Sequence, residues 1–105
     1  MLTENQKIVL DEMTPIFTAT MDELPPQKRK VLASLASING IATSREVAKA
    51  ARISINIASM VLGRLLKDGF IADYSSHVRK KQYDFSYKHK WLAIWLRVRR
   101  TGDNK

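Results

Sequence analysis

Between Thr43 and Phe70 two helical patterns follow each other across a stretch too short to be anything but a tight turn, and each pattern carries its own start and stop signals. Thr43 with Glu46 three residues on is a capping box. The hydroxyl accepts from the Glu46 amide while the carboxylate reaches back to the Thr43 amide. That predicts a short helix from about Ser44 to Ala50. Ala51-Arg52-Ile53 turns the chain, and Ser54 is a natural cap for a second helix ending near Lys67. Ala58, Val61, Leu62, Leu65 and Leu66 share one face of it at helical spacing. Asp68-Gly69 stops it, since glycine takes the left-handed conformation on which helices often end.

Two capped helices joined by a turn of three or four residues are the sequence form of a helix-turn-helix. Phe70–Tyr74 then reads as a strand and Gln82–Phe85 as its returning partner, with a polar tip from Ser75 to Lys81 between them. A strand pair at this place makes a wing. The pattern I-S-x-x-x-A-S-x-x-L-x-R-L-x-x-D-G-F-I, Ile53 to Ile71, resembles the winged helix-turn-helix family. The expected fold class is therefore mainly α with a small β wing (α+β): a winged helix-turn-helix with a leader helix before it and a closing helix after it.

Upstream, Thr3 caps a first helix from Glu4 to about Met13, and Thr14-Pro15 predicts a restart, because proline suits a first helical position better than an interior one. Val9, Met13, Ile16, Phe17, Met21 and Leu24 continue one apolar stripe across that junction. Residues 1–24 form an acidic amphipathic leader that packs either on its own body or on a second copy. Pro26 opens the next helix, with Val31, Leu32, Leu35 and Ile38 as its buried stripe and Lys28, Arg29 and Lys30 in its first turn. Cations there oppose the helix dipole, so phosphate contact and plain solvation are both open as the reason for them. Ile41-Ala42 is a candidate short strand beside the wing. After the wing, Ser86 caps a last helix whose stripe is Trp91, Trp95 and Val98, widened by Leu92, Ile94 and Leu96. Tryptophans can stack on bases, but at helical spacing they read as core. Residues 25–100 form the winged domain, and residues 101–105 read as a disordered tail.

Charge is distributed unevenly along the 105 residues. Residues 1–24 hold one lysine and five acids, net −4; residues 25–105 hold 17 Lys plus Arg and five acids, net +12. A body this basic points to a polyanionic partner. The absence of cysteine excludes disulfides and thiolate metal sites and fits a reducing, cytoplasmic location. No apolar run is long enough to span a bilayer, and no secretory signal is visible. His77 and His89 have no ligand partners at metal spacing, and no phosphate-cradling glycine loop or nucleophile–base constellation is present. The expectation is a non-enzyme with neither cofactor nor metal.

Three segments together carry a narrower resemblance: Leu24-Pro25-Pro26-Gln27, the helix-turn-helix, and Tyr83-Asp84-Phe85 with Trp91–Arg97. From about Pro15 to Arg100 the chain is similar to the C-terminal winged-helix domain of archaeal and bacterial AAA-type ATPases. This resemblance implies a module of a longer protein, with a partner ATPase domain, that binds DNA or senses a partner.

Two functions remain open at this level. In the first, duplex DNA is held through phosphates by Lys28, Arg29, Lys30, Arg79, Lys80 and Lys81, with modest readout from Ser54, Asn56 and Ser59, and Arg64 and Lys67 beside them are further DNA-binding candidates. Asn56 is the good base reader of the set, by a two-point contact to adenine. In the second, the apolar outward residues Ile55 and Met60, beside Gly63, mark a protein-interaction or dimerisation surface. The charge of the wing favours DNA, as a regulator of transcription or as an ATPase module.

Overall fold

A computed structural model describes residues 2–38, 40–75 and 81–103. Five helices and three strands follow in the order α1 (Glu4–Asp22), α2 (Pro26–Ile38), β1 (Ala42–Thr43), α3 (Ser44–Ala51), α4 (Ile55–Asp68), β2 (Ile71–Asp73), β3 (Gln82–Phe85) and α5 (Lys90–Asp103), with a 3-10 turn at Tyr87–His89 before α5. The sheet order is β1-β3-β2, all antiparallel, so the returning wing strand is central. This is a winged helix. Among the described residues no helix is long and apolar enough to cross a membrane.

The capping chemistry written in the sequence sets the helix ends. Thr43 and Glu46 exchange both capping-box bonds, and the Ser54 hydroxyl accepts from the Ile57 amide at 3.1 Å. Gly69 ends α4 at φ 87°. Arg52 closes α3 at φ 58°, ψ 48°, a left-handed conformation that costs a non-glycine residue roughly 1–2 kcal/mol and gives the motif its sharp turn.

Helix α2 lies at the centre, in contact with α3, α4, α5 and β3. Val31, Leu32, Leu35, Val47, Val61, Leu62, Leu65, Ile71, Phe85 and Leu92 form the buried core. Helix α1 joins it through Leu10 and Phe17. The Phe17 ring lies 5.6 Å from that of Trp95, and the Trp95 indole N–H donates to the Thr14 hydroxyl at 3.1 Å.

The structure departs from expectation at several places. Helix α1 runs unbroken through Pro15. The lost amide donor would serve the carbonyl of Asp11, an exposed residue where water can replace it, and docking on α5 holds the helix on both sides of the proline. The buried face of α1 is Leu10, Met13, Thr14 and Phe17, whereas Val9 and Ile16 face outward. On α5 the core residues are Leu92, Ala93 and Trp95, while Trp91 and Val98 are exposed. Ser86 makes no cap, because its hydroxyl donates instead to the Gly69 carbonyl at 2.8 Å. Strand β2 is confined to Ile71–Asp73, leaving Phe70 half-buried before it with its ring 4.7 Å from that of His89. Strand β1 is shifted by one residue, to Ala42–Thr43, and α5 extends to Asp103, into the stretch that composition reads as a tail.

Candidate nucleic-acid interface

With Ala58, Val61, Leu62 and Leu65 buried, the helical period leaves Asn56, Ser59, Met60, Gly63, Arg64 and Lys67 exposed on the other side of α4. Ser54 is exposed at its entry, its oxygen occupied in the cap and its O–H still able to donate. An open groove of about 440 Å³ runs between α4, the first turn of α3 and the root of the wing. Ser59 and Gly63 line it from α4, Thr43, Ser44 and Arg45 from the β1–α3 junction, and Lys81 and Tyr83 from the wing. Among the described residues no carboxylate lines it. Burial, with Asp73 nearby, raises the ionisation of the Tyr83 phenol above its ordinary value near 10, so the hydroxyl stays neutral at physiological pH.

The segment from Thr43 to Phe70 holds five cations (Arg45, Lys49, Arg52, Arg64, Lys67) and two acids, Glu46 and Asp68. Both acids are engaged within the chain. Glu46 accepts from the Thr43 amide at 3.0 Å, and Asp68 takes the Lys28 ammonium at 2.7 Å. The motif therefore presents its positive charge with its own carboxylates tied up.

Of the cations expected in the first turn of α2, Lys28 lies at the C-terminal end of α4, paired with Asp68. Arg29 is half-buried and Lys30 exposed, and neither lines the groove. Lys81 does line it, whereas Arg79, Lys80 and His77 lie outside the described residues. Sequence reasoning missed Arg45, whose position two residues past the capping-box Thr43 was the available signal: the cap fixes where α3 begins and so places a first-turn cation at the β1–α3 junction that lines the groove.

His89 belongs to the joint behind the wing. Its Nδ1 lies 3.0 Å from the Ser86 hydroxyl, and since that hydroxyl donates to the Gly69 carbonyl, the imidazole is the donor of the pair. Burial and then the neighbouring Lys88 hold its ionisation below the usual histidine value, opposed by the Gly69 carbonyl.

No protein-family model and no curated protein matches this sequence. Solved structures do. The adhesin competence repressor of Streptococcus pyogenes is similar with a TM-score of 0.64 at 19% identity, over 98% of this chain and 77% of that one. A MarR family transcriptional regulator from Silicibacter pomeroyi gives 0.61 at 21% identity, over 93% of this chain and 65%, just under two thirds, of its own. The ST1889 protein of the thermoacidophilic archaeon Sulfolobus tokodaii gives 0.57 at 17% identity, over 91% and 98%. At these identities the likeness is one of fold, and the fold they share with this chain is the winged helix.

Proposed function

We propose that the chain is a DNA-binding winged-helix domain of a transcription regulator, acting by binding and not by catalysis. The observation that carries the reading is a groove lined by Arg45 and Lys81 and, among the described residues, by no acid, with Arg64 and Lys67 exposed on α4 beside it, Asp68 paired to Lys28 and Glu46 turned back into its cap. Arg79 and Lys80, which follow between the two wing strands in the sequence, extend that set to six. Solved structures of similar fold that are described as transcription regulators support the reading. Asn56 contributes the two-point adenine contact, with Ser54 and Ser59 as secondary donors.

The domain works as a homodimer in this reading. Helix α1 is apolar on two faces. One is docked on the core, and the other carries Ile8 (49% exposed), Val9 and Ile16 (56%) on a single outward side. Ile8→Ser with Ile16→Ser should lower the solution mass to that of a monomer while the fold persists. Service within a larger ATPase rests on the sequence resemblance alone and would use the same groove.

The test is fluorescence anisotropy with random-sequence duplex DNA at several salt concentrations. Six phosphate contacts give a log–log salt slope of about −5, and replacing Arg79, Lys80 and Lys81 with alanine should flatten it by about two to three units for all sequences alike. Binding that is absent at low salt, or indifferent to the triple replacement, would sink the respective parts of the proposal.

A further inference from the structure

The outward side of α4 holds two apolar side chains that the core does not use. Ile55 is 44% exposed at the first helical position, and Met60 is 46% exposed five residues on, about 140° round the helix, so that the two stand on either side of Asn56. They do not form a continuous patch, since the exposed polar residues Asn56 and Ser59 lie among them. Cations frame them: Arg45 lines the groove at one side, and Arg64 and Lys67 follow along the helix. Isolated apolar groups inside a cationic frame fit a polyanion that itself displays isolated apolar groups. Duplex DNA is such a polyanion, because each thymine presents its C5-methyl in the major groove. RNA is not, since uracil lacks the methyl and the A-form major groove is closed to side chains.

The spacing agrees with this. Asn56 and Met60 are four residues apart, a rise of about 6 Å, close to two base-pair steps of about 3.4 Å. Ile55 adjoins Asn56 in sequence. We infer that Ile55 and Met60 are specificity-determining residues that read thymine methyl groups flanking the adenine held by Asn56, which makes the target an A·T-rich duplex. The inference rests on the DNA-binding reading above and goes past it to the base composition of the site.

Two alternating duplexes of equal length differ only in that methyl: poly(dA-dT) and poly(dA-dU). Anisotropy titrations of the intact chain should show weaker binding to the uracil duplex by about fourfold for each methyl shielded, and about fifteenfold if both side chains are engaged. Ile55→Ala with Met60→Ala, at exposed positions that leave the fold intact by melting curve, should bring the ratio close to one. The variant also controls for differences in duplex shape, which would persist after the side chains are removed. A parent ratio of one, or a ratio untouched by the double replacement, overturns the inference while duplex binding and the DNA reading stand. Failure to bind either duplex at low salt overturns both, and the apolar residues then belong to a protein contact.

Discussion

Gly63 lies well inside α4, where glycine is the poorest ordinary choice. A Cβ built there meets no atom within 4 Å, so nothing in the chain requires its absence. Gly63→Ala should therefore recover the full difference in helix propensity, about 0.8–1.0 kcal/mol. No clash offsets it. For a domain of this size that is a rise in melting temperature of about 4–8 °C, and in urea a higher midpoint with an unchanged slope. The same methyl would stand in the groove beside Ser59, on the side that faces the duplex in the proposed DNA-binding mode. Affinity for duplex DNA should fall as stability rises. Thermal and chemical denaturation test the first sign, and anisotropy with random duplex tests the second. A variant that is less stable than the parent would mean that α4 is phased differently. One that is more stable and binds as tightly would mean that close approach at Gly63 is no part of the interface.

Leu62 is fully buried against the core, and Leu62→Ala should cost about 2–5 kcal/mol by urea denaturation; a loss below about half of one would contradict its placement. Phe17→Ala removes the ring packed on Trp95 and should destabilise by about 3–5 kcal/mol, with the indole environment changing in fluorescence. The depressed ionisation of His89 means that the unfolded chain takes up the proton first, so the contribution of His89 is complete above about pH 6.5 and is lost as pH falls through the lower folded value. His89→Gln should flatten the stability curve on that acid side, and an unchanged acid limb would remove His89 from its causes.

Much of this was legible because helix ends are local events. Thr43, Glu46, Ser54 and Gly69 each act within four residues, and each was found where its chemistry put it. The strand pair followed from its place after the second helix. Orientation about a helix axis was harder wherever apolar residues lie on more than one side. On α1 the stripe read from the sequence included Val9, whereas the folded helix buries its neighbour Leu10 and turns Val9 outward. Pro15 misled, since a docked neighbour outweighs a local breaker. Within the candidate interface, the exposed positions of α4 could be read from its buried stripe. The pairing of Lys28 with Asp68 could not, because those residues are 40 positions apart and only the folded chain brings them together.

Thr43 holds two offices at once: it is the last residue of β1, paired with Gln82 of the wing, and the cap on which α3 begins. The wing is thus fastened to the motif by backbone bonds at its root, and β3 is clamped on both sides. The width between the root of the wing and the motif is set by that paired backbone. Whatever enters must match that width from the start, because the ordering that could have been deferred to encounter was already settled in folding.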